Sequence, residues 1–179
     1  MKKTLFSAVM IASFGIAALA SMSVQAASSG TINFTGKVLA DTCTINVNGS
    51  STSTVALPTV MTTAFGSTVG ATAGATPFTV ALTGCDPNTT SAAMTFNGTQ
   101  VDSGTGNLKN ATSGGSNVEI QLLNSSSAAI NTSTQVNAPT IAVTSGAGST
   151  SLTARYISTA TATTAGLVTS SVGFTLTYQ

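Results

Sequence analysis

Apolar residues recur at every second position in four stretches of the chain. Ile32, Phe34 and Val38, with Gly36 in the third place of the same row, alternate with Asn33, Thr35 and Lys37. Phe78, Val80 and Leu82 alternate with Thr79, Ala81 and Thr83; Val118, Ile120 and Leu122 with Glu119 and Gln121; and Val172, Phe174, Leu176 and Tyr178 with Gly173, Thr175 and Thr177. A period of two predicts half-buried antiparallel strands, and Thr between the apolar positions favours strand over helix. Shorter strands are expected over 44–47, 94–96, 140–143 and 152–157. Clusters of Gly, Ser, Thr and Asn over 48–54, 67–76, 103–106, 112–116 and 145–149 read as turns and loops. No amphipathic helical period stands out. Many short strands with turn signals between them predict an all-β, immunoglobulin-like sandwich, though without Trp it is not an antibody-type domain.

Composition narrows the possible functions. Of 179 residues, 34 are Thr, 24 Ser, 26 Ala and 17 Gly, more than half of the chain. Five cationic and four acidic side chains leave a formal net charge of +1, whereas about a quarter of the residues of an ordinary soluble domain are charged. With no His, neither a Ser-His-Asp nor a Cys-His nucleophile system can be assembled, nor a His-containing zinc site. Two Cys are too few for a Cys-only zinc or iron–sulfur site. So few cations cannot line a phosphate backbone. The expectation is therefore no enzyme, no catalytic or metal-ligating residues, no cofactor and no nucleic-acid partner. Asp41 and Asp86 each lie close to a cysteine, but such residues usually hydrogen-bond turn amides, and a carboxylate pair serving a glycosidase is a poor fit. Arg155, the one Arg of the chain, reads as an exposed or subunit-contact residue.

The first residues add a compartment. Met1-Lys2-Lys3, an apolar stretch over about 5–20 and Val24-Gln25-Ala26 form a basic n-region, an h-region and an A-x-A-like cleavage site, the pattern of a secretory signal peptide over 1–26. The stretch is broken by Ser7, Ser13 and Gly15 and falls short of the roughly 20 residues a membrane span needs. Cleavage leaves 153 residues, a length suited to one core. Cys43 and Cys85 both lie in that part, and an even pair in an exported chain is expected to be oxidised. On the chain-entropy model, closing so long a loop contributes on the order of 4 kcal/mol by restricting the unfolded chain.

The first alternating stretch is peculiar. It precedes Cys43, follows the flexible Ala27-Ser28-Ser29-Gly30, and carries Gly36 where a core strand would have a side chain to pack. It could be an ordinary first strand, or a strand that slides into a groove on another molecule and meets a shallow spot there. At this point the sequence resembles the pilin subunits of chaperone–usher fimbriae, and the major subunit of type 1-like fimbriae in particular. The matching residues are the run 30–38 ahead of Cys43; Pro77-Phe78-Thr79-Val80-Ala81-Leu82-Thr83-Gly84-Cys85-Asp86; Leu152-Thr153-Ala154-Arg155-Tyr156; and the ending, in which Gly166 is fourteenth from the last residue and Tyr178 penultimate.

The resemblance implies an incomplete immunoglobulin-like sandwich that lacks its seventh strand. Residues 27–41 would be a donor-strand extension, carrying Ile32, Phe34, Gly36 and Val38, and 42–179 the pilin domain. Gly166, Val172, Phe174, Leu176, Tyr178 and Gln179 would border an acceptor groove and meet a periplasmic chaperone. The chaperone lends a strand until, at an outer-membrane usher, the extension of the next subunit replaces it. The resemblance thus implies a structural subunit, polymerised with identical and other fimbrial subunits, exported through the periplasm to the cell surface and supporting adhesion. The alternative is a minor adaptor or tip subunit with its own receptor-binding role. Adhesins of this family resemble a lectin domain followed by a pilin domain, and 153 residues hold only one.

Overall fold

The computed structural model of the chain describes residues 31, 33–36, 38, 42–49 and 54–179. The expected signal peptide, Ile32, Asp41 and most of the 27–41 segment lie outside the described residues. The chain divides into two compact units, Met1–Gly36 and Lys37–Gln179. In the first, Phe34 is 90% exposed and an added Cβ on Gly36 would meet no atom within 4 Å. In the second, Val38 is 95% exposed. Phe34 and Val38 thus depart from the half-burial expected of an ordinary first strand.

The described residues of the second unit form eight strands: β1 Thr44–Val47, β2 Thr72–Thr83, β3 Ser91–Asn97, β4 Val118–Leu123, β5 Ala129–Ile130, β6 Thr140–Ala142, β7 Gly148–Ser158 and β8 Gly173–Tyr178. One 3-10 turn, Thr62–Phe65, is the only helical element among the described residues. The strands form two antiparallel sheets, one in the order β1-β2-β7-β4-β5 and the other β6-β3-β8. Where β2 and β7 pair, Phe78 lies opposite Leu152, and Leu82 opposite Gly148. Their inward row, Val80, Leu82 and Leu152, is buried against Ala92, Met94 and Phe96 of β3 and Ile141 of β6. This is the sandwich that the alternation predicts: one face of each sheet apolar, the two apolar faces closed on each other.

The disulfide joins Cys43 to Cys85. It ties the residue before β1 to the second residue beyond the end of β2, where β1 and β2 already pair from Thr44↔Thr83 to Val47↔Val80. Asp86 caps the turn that follows: its Oδ1 accepts from the Asn88 amide at 2.7 Å and its carbonyl from the Thr89 amide at 2.9 Å, the turn role expected of it.

Three features differ from the sequence expectation. The cluster 67–76 was expected to be a loop, but β2 already begins at Thr72. Its pairing with β7 shifts register between Ala73 and Thr76, and Gly74 sits there at φ +67° with Tyr156 packed where a Cβ would be. Gly here serves a bulge inside a strand, not the end of one. Pro77 is tolerated because β1 pairs only with residues 80–83, leaving that part of β2 with a single neighbour. Second, β4 is buried on both faces. The loop ahead of it covers the polar side, and Thr105 Oγ and Asn107 Nδ2 donate to Glu119 Oε2 at 3.0 Å each. Third, the two-residue β5 and the extended segment 54–61 carry no alternation long enough to be read as strands. Arg155 on β7 is half-buried and donates through Nε and Nη2 to Gln121 Oε1 of the neighbouring β4, at 2.9 and 2.6 Å.

Because the disulfide closes a separation of 42 residues around the β1–β2 pair, replacing both Cys43 and Cys85 by Ser is expected to lower the unfolding free energy by about 2–5 kcal/mol. Chemical denaturation of the purified subunit with and without the bond measures it.

Candidate functional site: an open groove beside the last strand

Among the described strands β8 lies at the edge of its sheet and pairs with β3 alone. The consequence is visible across the ladder. Phe174 lies opposite Phe96, Leu176 opposite Met94 and Tyr178 opposite Ala92. The β3 residues are 6%, 2% and 0% exposed, whereas their β8 counterparts are only half-buried. β3 is flanked on both sides, by β6 and β8, and β8 on one. An apolar row with one side uncovered and a main-chain edge without a partner is the surface to which another strand adds.

The uncovered side opens onto a cleft of about 210 Å³. Val172 and Phe174 line it together with Val55 and Leu57 and with Val80 and Leu152 of the core. Leu57 also lines a second cleft of about 510 Å³, together with Met61, Phe65, Gly166, Leu167 and Tyr156. Sharing Leu57, the two clefts adjoin. Together they are lined by residues of the segment 55–65 and of the chain from 163 to 174. Met61 and Leu167, which both line the second cleft, leave apolar side chains exposed.

Each wall has a local cause. In the segment 54–61, Val55 and Leu57 pack on the core while Thr54, Ala56 and Pro58 are exposed, so the stretch is extended and two-sided without belonging to either sheet. On the other wall, residues 166–169 are held by the loop 110–116. Asn110 Nδ2 donates to the carbonyls of Ser116 and Leu167 at 2.8 Å, and its Oδ1 accepts from the amides of Thr112 and Thr169 at 3.0 Å. The Ala111 amide donates to the Thr169 carbonyl at 2.7 Å. Gly166 makes this approach possible, since a Cβ there would fall 2.5 Å from the Ser116 nitrogen. The far end of the strand is pinned at Gln179, whose amide donates to the Ser91 carbonyl at 2.9 Å and whose main-chain oxygen accepts from the Thr90 amide at 2.7 Å.

Of the residues singled out from the sequence, Val172, Phe174, Leu176 and Tyr178 share one face of β8 and its approach, with Val172 and Phe174 lining the first cleft. Gly166 lines the second. Gln179 is exposed at the end of the strand. Of the expected donor residues, Phe34, Gly36 and Val38 are described and exposed; Ile32 is not described. The opposite wall and the Asn110 clamp escaped the sequence reading. A brief signal exists for the wall, the Val55/Leu57 alternation ended by Pro58; for the clamp there is none, because Asn is common in this chain's loops.

An all-β sandwich of two antiparallel sheets, one strand short beside β8, defines an incomplete immunoglobulin-like fold with an open strand site. The chain belongs to the fimbrial protein family: the model of the family described as "Fimbrial protein" matches residues 32–179. It is 39% identical over 175 residues to the F17 fimbrial protein of Escherichia coli, covering 92% of this chain and 96% of that one. It is likewise 39% identical over 163 residues to the major fimbrial subunit SMF-1 of Stenotrophomonas maltophilia, covering 86% and 94%. Among solved structures it resembles the antigen and type I fimbria protein of Burkholderia pseudomallei, with a TM-score of 0.55, 29% identity and coverage of 83% of this chain and 97% of that one. The P pilus rod subunit PapA shares the fold, with a TM-score of 0.55 at 17% identity over 83% and 100% of the chains. The protein is a structural subunit of the extracellular fimbrium.

Asn110→Ala is expected to leave the carbonyls of Ser116 and Leu167 without their clamp, and Gly166→Ala to push the wall off the loop, each lowering stability by about 1–3 kcal/mol. Thermal unfolding of the purified subunit tests both; a midpoint unchanged in either variant contradicts this account of the wall.

Proposed function

We propose that the groove beside β8 accepts a strand from another molecule, and that residues 27–41 of a second copy of this chain supply it in the fibre. Strand addition of this kind between chaperones and pilins is an established mode of recognition. The observation that carries the assignment to this chain is the contrast across the β3–β8 ladder, where buried residues face half-buried ones because one neighbour is missing. The exposed Phe34 and Val38 supply the complementary apolar row. An inserted strand satisfies the main-chain edge of β8, and its alternate side chains fill the clefts. Burying Ile32, Phe34 and Val38 at about 1.5–3 kcal/mol each supplies roughly 5–9 kcal/mol per junction before the cost of ordering the extension.

Before polymerisation the same groove needs a temporary strand. A periplasmic chaperone provides it after the signal peptide over 1–26 has directed export, and the chain end at Gln179 docks on basic groups of that chaperone. An outer-membrane usher then exchanges the chaperone strand for the extension of the next subunit. On this reading 42–179 is the accepting domain, and the other partners are identical copies and further fimbrial subunits.

Phe34→Asp is expected to abolish the polymer while chaperone-bound subunit accumulates in the periplasm. Gly36→Leu should do the same, and since a side chain on Gly36 meets nothing within 4 Å in the free chain, its effect reports on the junction. An unboiled gel of surface-sheared material reads both: wild type runs as a ladder of strand-joined multimers, and ladders from either variant would sink the donor assignment. Deleting residues 171–179 removes β8, so the truncated chain should fail to accumulate with its chaperone; a stable complex of that chain argues against the groove.

A further inference from the structure

From Val168 to Tyr178 the chain alternates without a break: Val168, Ser170, Val172, Phe174, Leu176 and Tyr178 are half-buried and every residue between them is exposed. Ser170 is the one small polar side chain in this inward row. It lines the first cleft, whose other lining residues, its neighbour Ser171 apart, are all apolar. Its Oγ is buried and has no hydrogen-bond partner, a state shared only by Thr89 Oγ1 among the described residues. Asn110 holds the wall just before it and β3 the strand just after it. A buried hydroxyl without a partner is a cost that the native fold ordinarily avoids.

Resting on the strand-acceptance reading, we propose that Ser170 is a register-determining residue of the groove, its hydroxyl hydrogen-bonded by the main chain of the inserted strand at Gly36 of the second copy. The inward side chains of the extension, Ile32, Phe34 and Val38, are apolar and cannot bond a hydroxyl. Only the main chain of the strand can, and only at Gly36, where no Cβ intervenes, does it come close enough to the wall. The order of residues agrees. Every ladder between the described strands is antiparallel. Antiparallel addition that sets Val38 beside Val168 puts Gly36 beside Ser170, Phe34 beside Val172 and Ile32 beside Phe174. The single small residue of each row then meets the other. A slip by one pair of residues would set a bulky apolar side chain over the hydroxyl and leave it unbonded, so the contact discriminates between registers.

The test uses purified fimbriae and the rate at which they dissociate in detergent on heating. Ser170→Ala and Ser170→Val, which lack the hydroxyl, are expected to dissociate about tenfold faster than wild type, equivalent to about 1.4 kcal/mol. Ser170→Thr, which has the shape of Val but keeps the hydroxyl, should stay within about twofold. Gly36→Ala removes the same contact, so the Gly36→Ala, Ser170→Ala double variant should dissociate no faster than Gly36→Ala alone. The proposal is overturned if Ser170→Ala matches wild type, if Val and Thr behave alike, or if the two substitutions add in full. Phe34→Asp separates it from the reading on which it rests. Ladders from that variant defeat strand acceptance itself, whereas their loss together with an unaltered Ser170→Ala polymer defeats only the role given to Ser170.

Discussion

The unpaired edge of β8 is the constraint around which the molecule is arranged. A sheet edge leaves main-chain groups without partners, and an apolar row beside it leaves hydrophobic area in water. Soluble monomers normally cover such an edge or blunt it with charge. Among the described residues neither happens: the outward residues of β8 are Gly173, Thr175 and Thr177, and the inward ones are Phe174, Leu176 and Tyr178. The rest of the sandwich keeps this edge straight and open. β3 holds it on one side, Ser91 and Thr90 pin its end, and the loop 110–116 fixes the wall that leads into it.

A fibre subunit needs an edge open to one partner and closed to others. The proposed strand site would meet this by drawing on the core. Core residues such as Val80 and Leu152 line the first cleft, so on the strand-acceptance reading an incoming strand would complete the hydrophobic interior instead of lying on a surface. The scarcity of charge fits this role, since no charged side chain lines either cleft. The one described ion pair, Lys109 with Asp102 at 3.4 Å, lies outside both clefts. Nearby amides of Thr105 and Gly104 hold the Asp102 carboxyl below its ordinary range, which keeps that surface turn charged and formed.

The chain's dominant residues, Thr, Ser, Ala and Gly, serve different ends by position. On strand exteriors Thr supplies a β-favouring polar surface without charge. Gly acts where backbones must nearly touch: Gly166 against Ser116, and Gly74 under Tyr156 at the bulge that lets β2 run past a Gly-rich stretch. Composition alone cannot separate these roles, since a Gly at a bulge and a Gly in a loop look the same until the neighbouring strand is in place.

The sequence by itself determined the all-β class, the inward rows of β2, β3, β4 and β8 and the pairing of its two cysteines. Each of these follows from a local period of two or from the chemistry of an exported chain, and needs no knowledge of distant neighbours. Only the tertiary structure decided which strand is left at an edge, because an alternating row reads the same with one neighbour or two. Phe96 and Phe174 occupy equivalent places in their patterns, yet one is buried and the other half-open. The opposite wall at Val55 and Leu57, the Asn110 clamp and the unbonded hydroxyl of Ser170 likewise arise from segments brought together across long stretches of chain, where no short-range pattern records the contact.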